Sequence, residues 1–132
     1  LSLAILDLDH FKSINDQYGH HAGDTALQRI TKRVTKQLRP SDIFARIGGE
    51  EFAIVLPETK PQEAVRLLER ILEDVIKTNL YYENKQFTLS FSAGITEYYD
   101  AATLDELVRK ADVALYESKV QGRSKVSLNL MT

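Results

Sequence analysis

The chain has 132 residues, enough for one domain with a substantial buried core. Its 17 basic and 19 acidic residues leave a net charge of −2. That excludes a global basic field toward nucleic acid or an anionic membrane surface, so any polyanionic ligand has to be held by local cations or metal ions. Cysteine is absent, which removes disulfides, thiol catalysis and cysteine–zinc sites and fits a reducing, cytoplasmic compartment. No apolar run approaches the ~20 residues that span a bilayer, and no signal peptide is visible.

In chain order, Leu3 to Leu6 is a continuous apolar run, the pattern of a strand covered on both faces. Because Leu1 already reads as part of that core strand, the chain is expected to be a fragment of something longer. The strand runs into Asp7-Leu8-Asp9. Phe11, Ile14 and Tyr18 then lie at helical spacing in a short helix that stops at Gly19. A second helix is predicted from about Ala22-Gly23-Asp24, with Leu27, Ile30, Val34 and Leu38 as its apolar stripe and Arg39-Pro40 as its end. Two β-branched and aromatic runs, Ile43–Ile47 and Phe52–Leu56, flank Gly48-Gly49-Glu50-Glu51. This predicts a hairpin whose tight turn needs positive φ at both glycines.

Thr59 with Gln62 reads as a capping box opening a helix that buries Ala64, Leu67, Leu68, Ile71, Leu72, Val75 and Ile76. Tyr81 to Lys85 reads as a polar loop, and Phe87 to Thr96 as one half-buried strand. Thr103 and Glu106 form a second capping box before a helix that buries Leu104, Leu107, Val108, Ala111 and Leu115, with Gly122 just past its end. Val126–Leu128 makes a last short strand. Strands alternating with amphipathic helices, without repeat or linker, give an α+β fold with helices packed on a mixed central sheet.

Acidic residues cluster at two places, the end of a buried strand (Asp7, Asp9) and the hairpin tip (Glu50, Glu51). If those strands are neighbours the carboxylates converge, a costly arrangement that a hard divalent cation relieves. Two metals of this kind serve phosphoryl transfer; scattered surface acids are the plain alternative. Lys12, Lys119 and Arg123 are candidate phosphate ligands, with the backbone N–H groups of residues 9–12 as an anion site, although cations in a last helical turn complement the helix dipole anyway. Composition alone leaves Asn15 and Asp24 as ordinary helix residues, His20-His21 as surface residues rather than metal ligands, and Arg39-Pro40-Ser41-Asp42 as a helix terminator with a surface ion pair.

Together these residues resemble the GGDEF domains, the diguanylate cyclases of bacterial signalling. The resemblance is carried by Asp7-Leu8-Asp9-His10-Phe11-Lys12-Ser13-Ile14-Asn15-Asp16, then Gly19-His20 and Gly23-Asp24. It continues through Arg46-Ile47-Gly48-Gly49-Glu50-Glu51-Phe52 and Ala111-Asp112-Val113-Ala114-Leu115-Tyr116, followed by Lys119 and Gly122-Arg123. It implies a fold related to the palm of nucleotide cyclases and polymerases, an active-site hairpin, and the conversion of two GTP to cyclic di-GMP and two pyrophosphates with two Mg²⁺ or Mn²⁺ ions per site. By position it implies Asp7, Glu50 and the Leu8 carbonyl as metal ligands. Glu51 becomes a second-metal ligand or the group that helps deprotonate the 3′-hydroxyl. Phe11, Lys12, Lys119 and Arg123 fall on substrate-binding positions, Asn15 and Asp24 on guanine-reading ones, and Asp9 and Asp16 on positions read as structural. A subgroup that also accepts ATP differs at the Asp24 position, so the chain looks GTP-selective.

The resemblance further implies a catalytic homodimer, an N-terminal regulatory domain in a parent that can be membrane-tethered, and no membrane or nucleic-acid contact by this domain. Arg39 and Asp42 match the family's Arg-x-x-Asp product-inhibition site for cyclic di-GMP, and Arg70 a secondary arginine. Departures are Glu50 in place of Asp, Ser118 and Ser124 in place of the more usual Ala and Asn, and the lack of the family's N-terminal helix and Asp-x-Leu-Thr-Gly-Leu-like motif. Two rival readings stand beside an active cyclase. One is a silent GGDEF module that binds GTP or cyclic di-GMP and signals through a partner. The other is an adenylate-type cyclase or polymerase-palm fragment, which would leave Asn15 and Asp24 unexplained.

Overall fold

A computed structural model describes residues 1–129. The predicted central strand is β1 (Ser2–Leu8), every residue of it buried. It leads through α1 (Phe11–Tyr18) and α2 (His20–Lys36) to the hairpin β2 (Ile43–Arg46) and β3 (Glu51–Leu56). Then follow α3 (Pro61–Lys77), a small hairpin β4 (Asn79–Tyr82) and β5 (Lys85–Thr88), β6 (Phe91–Glu97), α4 (Leu104–Val120) and β7 (Val126–Leu128). The main sheet has the order β2-β3-β1-β6-β7, with only the β6–β7 pair parallel. This is the mixed sheet expected from the pattern.

Side-chain alternation divides the core. Ala4, Leu6, Phe52, Ile54, Ala93 and Ile95 point to one face and pack with Ile30 and Val34 of α2 and Leu68, Ile71 and Val75 of α3. Leu3 and Ile5 point to the other, where Leu107, Ala111 and Leu115 of α4 cover them. Gly94 lies on that second face opposite Ile5. A Cβ on Gly94 would sit 2.1 Å from Ala111 O and 2.2 Å from Leu115 N, so this glycine sets how closely α4 rides on the sheet.

Several local expectations are corrected. Neither Gly48 nor Gly49 has positive φ, and the hairpin closes over a wider loop in which the N–H groups of Ile47 and Gly48 both donate to Glu51 O. Helix α2 begins at His20, straight after the left-handed Gly19, which ends α1 and opens α2 at once. The cap of α3 is Lys60, whose N–H donates to Glu63 Oε1 at 3.2 Å, while Thr59 Oγ1 turns back to Pro57 O. The loop expected at 81–85 is instead a two-residue hairpin turn, because Glu83 and Asn84 both adopt left-handed backbone. The strand expected over 87–96 is therefore split between two sheets, and β6 is buried on both faces despite its alternating polar residues. Thr103 caps α4 by accepting Glu106 N–H at 3.1 Å, but the Glu106 carboxylate accepts from Tyr99 OH rather than closing the box. Ile76 near the end of α3 and Leu104 at the start of α4, both expected inside, are exposed, because the terminal turns of these helices reach past the sheet edge they cover. The short final strand and the positive φ of Gly122 are as expected.

Candidate active site

Antiparallel pairing of β1 with β3 puts the end of one strand beside the start of the other, so Asp7 stands directly opposite Glu51. Ser92 of β6 flanks Asp7 on the other side. All three side chains rise from the face covered by α4. Near the end of that helix Lys119 bends down, and its Nζ lies 2.6 Å from Asp7 Oδ2. Asp7 is only 7% exposed, so this contact neutralises a charge that water hardly reaches.

Glu51 is half-buried. Burial first, then the negative charges of Asp7, Asp112 and Glu50, raise its carboxyl above the ordinary range, with Lys119 opposing. Asp112 is itself raised by partial burial and drawn back by Lys119. The convergence expected from sequence is therefore real for Asp7 and Glu51, and Asp112 joins them without having been assigned a role. Its signal was present: Asp112 precedes Lys119 by two helical turns and shares its side of α4.

The turn above the pair is held from both ends. Leu8 N–H donates to Glu50 O at 3.1 Å, fixing the turn's main chain to the end of β1. Arg46 folds back over the tip, donating from Nε to Gly48 O at 3.0 Å and Gly49 O at 3.1 Å, and from Nη2 to Gly49 O at 2.6 Å. This clamp explains a turn of two glycines that does not need left-handed backbone: short range of approach and a guanidinium fork hold it instead.

The other predicted residues fall into three places. Phe11 and Lys12 open α1 two residues after Asp9, Phe11 half-buried and Lys12 exposed. The N–H of Asp9 is taken by Ser90 O at 3.0 Å, so the expected anion site over residues 9–12 loses its first member. Asn15 lies across Gly23, since a Cβ there would stand 1.9 Å from Asn15 Oδ1 and 3.3 Å from Phe11 Cζ. Gly23 thereby lets the Asn15 amide approach the first turns of α2, where Asp24 is the next residue and is exposed. Arg123 sits in a sharp turn after α4, its own φ 64° and that of Ser124 49°.

Arg39 and Asp42 are apart from this site. Asp42 accepts Arg39 Nη2 at 3.0 Å, Arg39 Nε at 3.3 Å and the Arg39 N–H at 2.8 Å, with its side chain 1% exposed. Arg39 Nη2 also donates to Pro57 O and Thr59 Oγ1, and Asp42 holds its guanidinium above the ordinary range. Arg70 of α3 lines a cleft of about 330 Å³ with Lys36, Gln37, Glu73, Asp74 and Lys77.

Asp7 and Glu51 are two hard oxygen donors whose mutual repulsion is offset by a single lysine, the donor chemistry that could hold a divalent cation such as Mg²⁺. Among the described residues no three acidic or histidine side chains converge tightly enough to enclose an ion. An open half-shell of this kind suits Mg²⁺, which is usually bound by one or two carboxylates together with substrate phosphates and water.

The family model for the GGDEF domain of diguanylate cyclases matches residues 1–125. The chain belongs to that family. It is 40% identical over 130 residues to diguanylate cyclase A of Treponema denticola and 39% identical over 128 residues to diguanylate cyclase DgcP of Pseudomonas aeruginosa. It spans 98% and 97% of its own length in these matches, but only 35% and 19% of those proteins. The GGDEF domain of DgcB from Caulobacter crescentus, solved with c-di-GMP, superposes with a TM-score of 0.94 at 32% identity, covering 98% of this chain and 78% of that one. SiaD of Pseudomonas aeruginosa, solved with its activator SiaC, gives 0.92 at 37% identity over 96% of this chain and 49% of that one. The active GGEEF domain of a Vibrio cholerae diguanylate cyclase gives 0.90 at 30% identity over 99% and 83%. The GGDEF fold, palm-like as expected, is therefore the fold of this chain, and its Gly48-Gly49-Glu50-Glu51-Phe52 signature is of the GGEEF form.

Proposed function

We propose that this GGDEF domain condenses two GTP into cyclic di-GMP, working as one half of an antiparallel homodimer that holds one nucleotide per domain. The observation that carries the reading is the opposition of Asp7 and Glu51 under the Arg46-clamped turn. In each half-reaction the 3′-oxygen of one nucleotide attacks the α-phosphorus of the other. A P–O bond to that oxygen forms, the bond to the β-phosphate bridge breaks, and pyrophosphate leaves. The 3′-hydroxyl proton passes to Glu51, whose raised proton affinity suits it to accept one. Two Mg²⁺ or Mn²⁺ ions, held by the Asp7, Glu50 and Glu51 side chains and the Leu8 carbonyl, would supply charge neutralisation at the phosphates and acidify the attacking hydroxyl.

The remaining residues bind and orient. Lys12, Lys119 and Arg123 hold the phosphates, with Lys119 exchanging Asp7 for a phosphate oxygen as the nucleotide enters. Asn15 and Asp24 read the guanine edge, the carboxylate accepting from N1–H and the 2-amino group, which selects GTP over ATP. Phe11 packs beneath. Holding two substrates in line across a dimer supplies most of the acceleration, since little covalent chemistry falls to the protein.

Product inhibition belongs to the Arg39–Asp42 corner. Arg39, 53% exposed, is the group that meets the guanine and phosphates of cyclic di-GMP, and the inaccessible Asp42 aims it. Arg70 is a second cationic contact. A parent protein with a regulatory domain brings two copies together in the cytoplasm, where GTP is available; no described helix is long and apolar enough to cross a membrane.

The test is turnover against protein concentration, with GTP and Mg²⁺ and product followed by chromatography. Product rising more steeply than enzyme concentration supports a dimeric cyclase. GTP binding without product at any concentration, in this domain and in one extended at its N-terminus, replaces the reading with a receptor module.

A further inference from the structure

Asp9 is a charge placed where charge is costly: it is 6% exposed, at the end of β1 and two residues from Asp7. Both of its oxygens accept hydrogen bonds. Ser92 Oγ donates to Oδ1 at 2.6 Å, Ser90 Oγ to Oδ2 at 2.6 Å, and the main-chain N–H of Ser124 to Oδ2 at 3.0 Å. Two of these partners open β6 or lie just before it. The third belongs to the turn after α4, far away in sequence.

That turn holds three successive residues in left-handed backbone, the longest such run among the described residues. Gly122, Arg123 and Ser124 follow one another with φ of 113°, 64° and 49°, and two of the three carry a Cβ. Its near end is tied to α4 itself, Gly122 N–H to Lys119 O at 3.3 Å and Arg123 N–H to Ser118 O at 2.9 Å. Its far end is tied to the sheet, by Ser124 N–H on Asp9 and by Ala93 N–H on Lys125 O at 2.9 Å. Such a backbone persists only where its surroundings over-determine it, and an ionised carboxylate is the strongest acceptor a protein can offer one N–H.

From this geometry we propose that Asp9 is a positioning residue that latches the Gly122–Ser124 turn and so fixes the backbone from which the Arg123 side chain extends. The latch gives the two acids of the Asp7-Leu8-Asp9 run separate tasks: Asp7 faces the reacting groups, and Asp9, two residues on, holds the loop that carries a phosphate-binding cation. The strain has a use in this arrangement, because the left-handed Arg123 and Ser124 turn the chain from the stop at Gly122 straight back to the sheet at Lys125. The inference rests on the reading of Arg123 as a phosphate contact.

The experiment has two readouts on wild type, Asp9→Asn, Arg123→Ala and the double variant. Amide hydrogen exchange of ligand-free protein reads the turn, and calorimetry with a GTP analogue whose α–β bridge cannot be cleaved reads phosphate binding. Asp9→Asn is expected to speed exchange at Ser124 and to weaken analogue binding about tenfold, the scale of one charge-assisted contact. Arg123→Ala should cost a similar factor, and the double variant no more than either. If Asp9→Asn melts out, Ser90→Ala removes one hydroxyl that aims the carboxylate and should show the same pattern at smaller size. Unchanged exchange at Ser124, or losses that multiply in the double variant, would overturn the latch. Wild-type protein that binds no nucleotide would instead overturn the role of Arg123 and with it the inference, leaving exchange at Ser124 to report whether the turn is held.

Discussion

Lys119 Nζ lies 2.6 Å from Asp7 Oδ2, so a residue from the last turn of α4 neutralises a carboxylate at the end of the central strand. The two residues are 112 positions apart, and the helix that joins them sits on the sheet at a distance set by Gly94. The contact makes Lys119 the counter-ion of the site before any substrate enters. Lys119→Met is expected to cost about 1 kcal/mol of ligand-free stability, kept small because the lysine is a third exposed. Urea denaturation in chelator measures this, and Mg²⁺ should then stabilise the variant more than the wild type.

Glu51 is crowded by the charges of Asp7, Asp112 and Glu50 with one lysine to offset them. Glu51→Gln should abolish product while leaving the fold intact. In chelator at pH 7 it should also stabilise the domain, by up to about 1 kcal/mol after allowance for solvent screening. Parallel turnover assays and thermal melts check both halves; a folded variant that still turns over removes Glu51 from the chemistry.

Two glycine-to-alanine changes separate scaffold from site. At Gly94 the added Cβ meets backbone of α4, which cannot step aside, and the cost should approach or exceed about 3 kcal/mol. At Gly23 it meets the Asn15 side chain, which can rotate away. That variant should stay near wild-type stability yet bind GTP about tenfold more weakly, the value of one hydrogen bond to the base. Melting curves beside nucleotide titrations distinguish the two.

The Tyr99–Glu106 contact gives the domain an acid-sensitive corner. The Tyr99 hydroxyl chiefly, with Thr103 and nearby cations, holds the Glu106 carboxyl below the ordinary range. A depressed folded value contributes stability above the unfolded value, about 4.3, and loses it as pH falls through the folded one. Tyr99→Phe should therefore lower the melting temperature at pH 7 and match wild type once both are studied below that window.

Asp42 is nearly inaccessible yet accepts three bonds from Arg39. Asp42→Ala should relieve inhibition by cyclic di-GMP as strongly as Arg39→Ala, because an unaimed guanidinium binds poorly. Inhibition curves for both variants test this. An Asp42→Ala enzyme that stays sensitive would mean that Arg39 needs no partner.

Short-range physics was legible in the residues themselves. The continuous apolar run of β1, the stripes of α2 and α3, the cap at Thr103 and the stop at Gly122 each follow from spacing or from one residue's conformational preference. The Gly48-Gly49-Glu50-Glu51 signature, in order with its companion motifs, pointed to the family. Where local rules failed, a tertiary contact had taken over. The Gly48–Gly49 turn is wider than a Gly-Gly pair alone predicts because Arg46 and Leu8 N–H hold it, and Glu106 leaves its capping box for Tyr99.

What the sequence by itself determined was which residues could do chemistry: the acids, the cations and the glycines that free the backbone. Only the tertiary structure decided which of them meet. Register, a property of paired strands, puts Glu51 and not Glu50 opposite Asp7. Helix approach, a property of packing, brings Lys119 and Asp112 to that pair. Burial, a property of the whole fold, raises the proton affinity of Glu51 and turns Asp9 from one more acid into the fixed end of the turn that carries Arg123.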